Sequence, residues 1–357
     1  MDPAIAATLI GVLGSALVGV LAGAFHLLRS DIRRVEGKLD DLVLAVRLPG
    51  RARLTTMEIP LASGPMLRPS SWRGAMLLRS QYPDASPICG GTDLMVDINF
   101  GRARPATLLD LTSVDGLDSW ELIDDGRTVR IGAGVSFTRI IEELSDLCPA
   151  LAQAARTVGS PQIRNRGTVA GNLATASPAG DSHPMLLASW AKVEVGSVRG
   201  PRLIDIDDFF LGPKRSALEP DELIRAVLVP AATGPQQFAK VGPRNAMVIA
   251  TVSFALNLDV AGRRVGTGIG SAGPTPLRAR AAEQMLQDAL ADRWDGPVGV
   301  DQSLCSRFGA LVADAASPID DVRGSAGYRR HALAVLGRRC LSWVLEDLEA
   351  ERTGGSS

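Results

Sequence analysis

The sequence predicts an α+β fold with two domains, and three observations support this prediction. Helical and strand-like patterns are mixed between residues 67 and 232. After Pro235 the pattern changes to strand-like runs that are followed by Ala-rich helices. The 357 residues are enough for two or three domains. We therefore expect one α+β domain over residues 67–232 and a second over residues 233–346, preceded by an N-terminal apolar helix.

The N-terminal helix is predicted from residues 3–28, an uncharged apolar run. In a helix these 26 residues would span about 39 Å, enough to cross a hydrocarbon core of roughly 30 Å. Small residues recur at every fourth position, which lets another helix approach closely: Gly11, Ser15, Gly19 and Gly23. Basic residues follow from Arg29, which by the positive-inside rule places the bulk of the chain on the cytoplasmic face of the cell membrane. We expect residues 1–28 to be a membrane anchor or, alternatively, an oligomerisation helix.

The remaining elements are predicted from apolar spacing and turn residues. Residues 29–66 indicate an amphipathic helix followed by a linker rich in Pro and Gly. In the first domain we predict a helix over residues 72–80, a short strand before Cys89, a hairpin around residues 129–134, helices over 137–147 and 150–157, a long loop over 159–184, a helix over 186–196 and a strand over 222–230. Strand-like runs then cover residues 236–259 and 266–273, and residues 347–357 are expected to form a disordered tail.

Charge and cysteine content exclude several kinds of function. Lys and Arg number 38 and Asp and Glu 39, so the formal charge of −1 provides no field that would attract nucleic acid. The four cysteines are scattered singly, without a C-x-x-C motif or a histidine at ligand spacing: Cys89, Cys148, Cys305 and Cys340. We therefore expect no metal site in this chain, no nucleic-acid partner and a reducing compartment.

The first loop that could carry chemistry covers residues 87–94. Gly90 and Gly91 follow an apolar strand, permit positive φ and carry no Cβ, so successive backbone N–H groups can point at one anion. Thr92 adds a hydroxyl donor. An ordinary tight turn explains the same sequence equally well.

The second loop covers residues 159–181 and is rich in small hydrogen-bonding side chains. Hydroxyl and amide groups suited to phosphate or ribose oxygens are those of Thr168, Asn172, Thr175 and Ser177. Asp181 suits ribose hydroxyls, whereas Arg164 and Arg166 fit either phosphate or neighbouring carbonyls. Neither loop is a P-loop or a Rossmann fingerprint, but together they suit a diphosphate clamped between subdomains.

Six segments in consistent order resemble the FAD-binding medium subunit of the molybdenum hydroxylases, the family of xanthine dehydrogenase and aerobic carbon monoxide dehydrogenase. They are CGGTDL, VGSPQIRNRGTVAGNLATASPAGD, ELIRAVLVP, FAKVGPRNAM, GSAGPTPLRARAAE and DVRGSAGYRRHALAVLGRR. The resemblance covers about residues 67–345 and leaves out residues 1–66. It implies a two-subdomain FAD-binding domain of the vanillyl-alcohol-oxidase/PCMH type, followed by a C-terminal domain of the CO dehydrogenase flavoprotein type.

The resemblance also implies which residues bind FAD. The family's pyrophosphate loop matches Ser86, Pro87, Ile88, Cys89, Gly90, Gly91, Thr92 and Asp93. Its second loop matches Thr168, Val169, Ala170, Gly171 and Asn172. Positions near the pyrophosphate, ribose or flavin match Gly159, Thr175, Ser177 and Asp181, while Ile224 aligns with an apolar residue that lines the cofactor and Lys240 with a basic residue beside it. Ala170 replaces a family glycine, and its methyl group is tolerable only at negative φ.

Purely structural roles are the alternative for three residues. Ile224 could be a core residue of a half-buried strand, and Lys240 a solvated charge on a strand. His183 follows Asp181 and could be considered for covalent flavin attachment. A hydrogen-bonded structural role is favoured for His183, because the family that this chain resembles holds FAD non-covalently.

The resemblance implies an oxidoreductase subunit that relays electrons. A large subunit would hold the molybdenum cofactor, a small subunit two [2Fe–2S] clusters, and this chain FAD, with NAD, dioxygen or a quinone as final acceptor and a dimer of heterotrimers as the assembly. We expect no catalytic acid or base here, since the cofactor supplies the chemistry. The alternatives are a stand-alone FAD-dependent oxidoreductase with its own small substrate and a non-enzymatic assembly scaffold.

Overall fold

The computed structural model of the chain describes residues 66–296 and 299–354. The predicted apolar helix of residues 1–28, and the amphipathic helix and linker that follow it up to residue 65, lie outside the described residues. Among the helices that are described, none combines the length and the apolar character needed to cross a membrane.

The described part of the first domain contains two main sheets. The first is parallel, in the order β1-β3-β2: β1 (Met66–Leu67), β2 (Ser86–Ile88) and β3 (Leu108–Asp110). The second is antiparallel, in the order β4-β5-β10-β6-β7: β4 (Trp120–Ile123), β5 (Thr128–Gly132), β6 (Lys192–Ser197), β7 (Gly200–Asp205) and β10 (Leu223–Pro230). Strands β8 (Phe210–Gly212) and β9 (Arg215–Ser216) pair with each other. The apolar run that predicted β10 is thus explained by its central place in the larger sheet.

Helices of the first domain pack on these sheets. They are α1 (Trp72–Gln81), α2 (Leu94–Asn99), α3 (Phe137–Glu143), α4 (Pro149–Arg156), α5 (Pro161–Arg164), α6 (Val169–Thr175), α7 (His183–Ala188) and α8 (Ile206–Phe209). Hydroxyl side chains accept backbone N–H groups at the starts of α1, α3, α5 and α6: Ser71, Ser136, Ser160 and Thr168. Fully buried apolar side chains such as Ile131, Leu151 and Leu173 join helices and sheet in one core.

Two predictions for this domain were wrong in detail. The long loop of residues 159–184 contains α5 and α6, which are too short for a helical apolar period to be visible in the sequence. The helix predicted over residues 186–196 ends at Ala188, and its second half is β6. Val193 and Val195 alternate inward from β6 and are fully buried against β10, and this tertiary packing overrides the helical pattern.

The C-terminal domain contains an antiparallel sheet in the order β11-β12-β13: β11 (Gln236–Val241), β12 (Val252–Asp259) and β13 (Arg264–Gly270). Its described helices are α9 (Arg280–Leu290), α10 (Gln302–Asp314) and α11 (Ala326–Gly354). Strand β12 packs its apolar side chains against them, with Phe254 edge-on to Phe308 at 6.2 Å between ring centroids. The order of strands and then Ala-rich helices agrees with the sequence prediction.

The prediction that a disordered tail begins at residue 347 was wrong, because α11 continues to Gly354. Leu348 is buried in the C-terminal core, and the amide of Gln237 donates to the carboxylate of Asp347 at 3.0 Å. The guanidinium of Arg352 donates to the carbonyl oxygens of Trp294 and Gly296. These contacts hold the last turns of the helix, while residues 355–357 lie outside the described residues.

The two domains meet where α7 lies on β13. A Cβ on Gly266 would collide with the carbonyl oxygen of Ala188, and a Cβ on Gly268 with that of Pro184. These glycines alternate along the strand, so they face the same side of the sheet. The missing side chains let the helix backbone touch the strand, and this glycine contact fixes the C-terminal domain against the segment that follows residue 181.

Candidate functional site

The first loop of the site connects β2 to α2. Gly91 has φ of +74°, a conformation that favours glycine. A Cβ on Gly90 would collide with the carbonyl oxygen of Arg166, so the backbones of the two predicted loops touch at this point. Thr92 lies beside Gly167 on the second loop. Two consecutive glycines are therefore needed for loop-to-loop contact as well as for the turn.

The second loop carries the short helices α5 and α6. The hydroxyl of Thr168 accepts the backbone N–H of Gly171 at 3.0 Å and caps α6. Ala170 lies in the first turn of α6 with negative φ and a buried side chain, so its methyl group causes no backbone strain. The hydroxyl of Thr175 donates to the carboxylate of Asp93 at 2.8 Å, a second link between the loops.

An ion pair between Asp181 and Lys240 lies beside the end of the second loop. Lys240 Nζ is 2.6 Å from Asp181 Oδ2 and also donates to the carbonyl oxygen of Thr157 at 3.1 Å. The Asp181 side chain is 11% exposed and that of Lys240 6%, and Asp181 Oδ1 has no hydrogen-bond partner among the residues that the structure describes. Burial raises the pKa of Asp181 to about 6, although Lys240 acts in the opposite direction. Lys240 is thus no solvated strand charge, and one buried carboxylate oxygen keeps unused hydrogen-bonding capacity toward the described residues.

His183 is completely buried next to the second loop. Its Nε2 is 3.2 Å from the carbonyl oxygen of Asn172, and its ring lies 4.6 Å from that of Phe210 between centroids. Burial lowers the pKa of His183 to about 4, which keeps the imidazole neutral at physiological pH. The hydroxyl of Ser182 donates to the Asn172 side chain at 2.7 Å. His183 and Ser182 therefore hold Asn172 in place, a structural role.

Comparisons with known proteins show which family the chain belongs to. Residues 59–232 match the FAD binding domain in molybdopterin dehydrogenase, and residues 237–344 match the CO dehydrogenase flavoprotein C-terminal domain. The chain belongs to the FAD-binding subunits of the molybdopterin dehydrogenases.

Individual relatives of this FAD-binding subunit support the same family. It is 31% identical to the xanthine dehydrogenase FAD-binding subunit of Escherichia coli O157:H7 over 286 residues, which covers 77% of this chain and 94% of the relative. It is 36% identical to the nicotinate dehydrogenase FAD-subunit of Eubacterium barkeri over 234 residues, 62% of this chain and 78% of the relative. A solved structure of carbon monoxide dehydrogenase from Hydrogenophaga pseudoflava superposes with a TM-score of 0.71 at 27% identity, covering 80% of this chain and 98% of that one.

The residues of this FAD-binding subunit fit the cofactor. The Gly90–Gly91 turn leaves backbone accessible where any larger residue would clash or be strained. The buried, unpartnered Asp181 Oδ1 can accept a hydrogen bond from a ribose hydroxyl or a ring N–H, and Lys240 places a positive charge beside it. Both features lie next to the second loop, which the sequence predicts to bind the cofactor.

The other residues that the sequence predicts for the site of this FAD-binding subunit lie in strand pairs, in the first core or in turns. Ser86, Pro87 and Ile88 pair with β3, and burial raises the pKa of the Cys89 thiol. The side chains of Val169 and Ile224 are buried in the first core. Gly159 adopts φ of +45°, and Ser177 accepts a bond from the N–H of Ala179 at 3.3 Å within its own turn.

The structure decides between the two interpretations of Arg164. Its guanidinium donates to the carbonyl oxygens of Val158 and Gly159 at 3.0 and 3.1 Å. The side chain of Arg164 therefore braces the turn at Gly159. The side chain of Arg166 is exposed, while its carbonyl packs on Gly90.

The sequence did not identify two groups on α4, or directly after it, that form hydrogen bonds with β11 beside the candidate site. The carbonyl of Thr157 accepts from Lys240, and the amide oxygen of Gln153 accepts the backbone N–H of Phe238 at 2.8 Å. Both residues lie on or directly after α4 and tie it to β11. A backbone carbonyl is common to every residue, so no sequence signal identifies Thr157.

Proposed function

We propose that this chain is the FAD-carrying electron-transfer subunit of a molybdenum-dependent dehydrogenase complex. A small partner subunit with [2Fe–2S] clusters would supply electrons, and a large partner subunit with the molybdenum cofactor would oxidise the substrate. The observation that carries the proposal is the contact between the Gly90–Gly91 turn and the backbone around Arg166, with the Asp181–Lys240 pair beside it.

The residues of the chain would bind and orient FAD without acting as acid or base. Bound FAD exchanges electrons one or two at a time, the chemistry that a relay from iron–sulfur clusters requires. Backbone N–H groups of the first loop would bind the pyrophosphate. Asp181 Oδ1 would accept a hydrogen bond from FAD. Lys240 would balance the charge of the Asp181 carboxylate and hold it in place.

Cofactor analysis of the purified full chain and its partners tests this proposal. We expect flavin absorption in the native protein and about one FAD released per chain on denaturation. Lys240→Met should lose most of the FAD, while Lys192→Met should keep it, because Lys192 is half-exposed and forms a surface ion pair with Asp205. A wild-type complex without flavin would exclude the proposed function.

We also propose that residues 3–28 attach the complex to the cytoplasmic face of the cell membrane and that a quinone is the acceptor. The uncharged run and the basic residues that follow it support this proposal. Deletion of residues 1–28 should release the complex from membranes and lower electron transfer to quinones. If the deletion dissociates a soluble oligomer instead, the segment is an oligomerisation helix. If the membrane-bound enzyme transfers electrons to NAD or dioxygen at its full turnover rate, a quinone is excluded as the acceptor.

A further inference from the structure

A buried arginine near the start of α11 lies at one end of the C-terminal sheet. Arg329 is 3% exposed, and its Nη1 donates to the carbonyl oxygen of Thr251 at 2.9 Å and to that of Ser271 at 2.5 Å. Its Nη2 donates to the carboxylate of Asp321, which fixes the orientation of the guanidinium. Thr251 directly precedes β12 and Ser271 directly follows β13. One nitrogen atom of Arg329 therefore joins the ends of two strands.

Thr251 connects Arg329 to the strand that carries Lys240. The backbone N–H of Thr251 donates to the carbonyl oxygen of Val241 at 2.8 Å. Val241 directly follows Lys240 and is the last residue of β11. The end of β11 is thus held by a residue whose own carbonyl oxygen is bound by Arg329.

Ser271 connects the same arginine to the segment that leads to Asp181. The backbone N–H of Ser271 donates to the carbonyl oxygen of Pro178 at 2.9 Å, three residues before Asp181. Ser271 has a left-handed φ of +61°, which is unfavourable for serine, and its buried hydroxyl has no hydrogen-bond partner in the described part of the chain. Such a conformation persists only where the surroundings impose it. The hydrogen bonds with Pro178 and Arg329, one on each side of Ser271, do this.

The two connections end at the two residues of the buried ion pair. Asp181 Oδ2 and Lys240 Nζ are 2.6 Å apart, and the residues come from different domains. A displacement of either backbone by about 1 Å would break the hydrogen bond between them, because such bonds seldom exceed about 3.2 Å. The backbone on both sides of the pair must therefore be fixed.

We infer that Arg329 is a positioning residue for FAD binding, which keeps Asp181 and Lys240 at hydrogen-bonding distance. The inference rests on the proposed function, since it concerns the ion pair of that same site. An aliphatic side chain at position 329 would remove the donor that both buried carbonyl oxygens share. The segment before Asp181 and the end of β11 could then separate, and the affinity for FAD would fall even in a folded chain.

Arg329→Met tests the inference in the full complex after FAD has been removed. The matched control is Arg278→Met, because the Arg278 side chain is 5% exposed against 4% for Arg329 and donates to Glu283 and Asp207, outside the candidate site. The dissociation constant of FAD is measured by titration, and denaturant unfolding is measured on the same samples. We expect Arg329→Met to raise the dissociation constant at least about 10-fold. The control should raise it by less than about 2-fold at a comparable loss of stability.

A double-mutant cycle separates positioning from a general loss of stability. In the Asp181→Asn background the ion pair is already lost, so Arg329→Met should raise the dissociation constant of FAD by less than about a further 2-fold. A merely structural arginine would give the same increase in both backgrounds.

Asp321→Asn is a milder second variant. It keeps an oxygen acceptor for Arg329 but removes its charge, so the dissociation constant of FAD should rise by about 2- to 5-fold in the wild-type background and stay unchanged with Asp181→Asn. This variant decides the question if Arg329→Met does not fold.

Separate outcomes distinguish failure of the inference from failure of the proposed function. Equal increases with and without Asp181→Asn would overturn the inference while the wild type still binds FAD. An increase in Arg278→Met as large as in Arg329→Met, or an unchanged dissociation constant in both Arg329→Met and Asp321→Asn, would also overturn it. Absence of FAD from the wild-type complex as purified would instead overturn the proposed function, and the inference with it.

Discussion

Gly90 is the residue at which the two loops of the candidate site touch. We predict that Gly90→Ala lowers the free energy of unfolding by about 1–3 kcal/mol and removes most bound FAD, because the added Cβ meets the backbone carbonyl of Arg166. Gly327→Ala is the matched control, since a Cβ there meets no atom of the described part of the chain within 4 Å. Denaturant unfolding and flavin absorption check both variants. A Gly90→Ala variant with full FAD content would show that the loop contact is dispensable.

Asp181 makes a pH prediction possible for the FAD-free protein. Its pKa is raised to about 6 in the folded chain, against 3.8 for an ordinary aspartate. The folded state therefore binds more protons than the unfolded state between these values, and the stability that Asp181 contributes falls as pH rises from about 4 to about 6. We expect the stability of the wild type relative to Asp181→Asn to fall by about 1–3 kcal/mol over this interval.

Denaturant unfolding at several pH values measures that difference. Arginine-paired carboxylates such as Glu143, whose pKa is lowered by a hydrogen bond from Arg139, act in the opposite sense. They are the same in both proteins and cancel in the comparison. A difference that does not change between pH 4 and 6 would contradict a raised pKa at Asp181.

The sequence identified residues with distinctive side chains and missed those that act through the backbone. Gly90, Gly91 and Asp181 could be selected as candidates from the sequence, because few residue types can replace a missing Cβ or an acceptor-only carboxylate. The contact of Lys240 with Thr157 could not be found, because any residue provides a carbonyl oxygen and the two positions are 83 residues apart. The structural role of Arg164 also required the structure, since a guanidinium binds phosphates and carbonyls equally well.

At the scale of elements, strand β13 and helix α7 form the contact between the domains. We predict that Gly268→Ala separates them, because its Cβ would meet the carbonyl of Pro184, and that FAD is lost as Lys240 moves away from Asp181. Ile269→Val is the control, since Ile269 packs on the helices of the C-terminal domain. The control should lower the free energy of unfolding by only about 0.5–1.5 kcal/mol and retain FAD. Equal FAD content in the two variants would contradict a role for the glycine contact.

Helix α11 supplies a second prediction at this scale. We expect Leu348→Ala to lower the free energy of unfolding by about 2 kcal/mol, because its side chain is buried in the C-terminal core. Glu351→Ala, one turn further along and exposed, should change it by less than about 0.5 kcal/mol. Thermal or denaturant unfolding distinguishes the two. Equal effects would mean that the end of the helix is not packed as described.

Helices and strands could be predicted from the sequence where the local pattern and the tertiary packing favour the same structure. The apolar run of β10 lies in the centre of its sheet, and the apolar faces of α9 and α10 pack in the C-terminal core. The prediction was wrong over residues 186–196. Helix α7 ends at Ala188, Trp190 has a left-handed backbone (φ +52°), and the residues that follow pair with β10 as strand β6. The prediction was wrong again beyond residue 346, because a polar sequence gives no sign that Leu348 and Arg352 find partners on the rest of the domain.

At the scale of the molecule, the candidate site depends on both domains. Asp181 belongs to the first domain and Lys240 to the second, and the described residues form one compact unit. A buried polar chain reinforces the joint: the N–H of Ala150 donates to Gln236, the amide of Gln236 to Asn257 at 3.2 Å, and the amide of Asn257 to the carbonyl of Ala188 at 3.2 Å. The first and the last of these hydrogen bonds cross from one domain to the other, so Gln236 and Asn257 keep their partners Ala150 and Ala188 only while the domains remain together.

FAD binding should therefore stabilise both domains by the same amount. At a free FAD concentration of 100 times Kd, the expected gain is about 2.7 kcal/mol. Hydrogen exchange followed by mass spectrometry measures it in β5 of the first domain and in β12 of the second, two largely buried strands that we expect to exchange only on global opening. We expect equal gains in the wild type, whereas Gly268→Ala at saturating FAD should confine the gain to β5, because the glycine contact no longer transmits it. If β12 of the wild type gains nothing, the C-terminal domain is an independent unit, and Lys240 does not couple the domains through the cofactor.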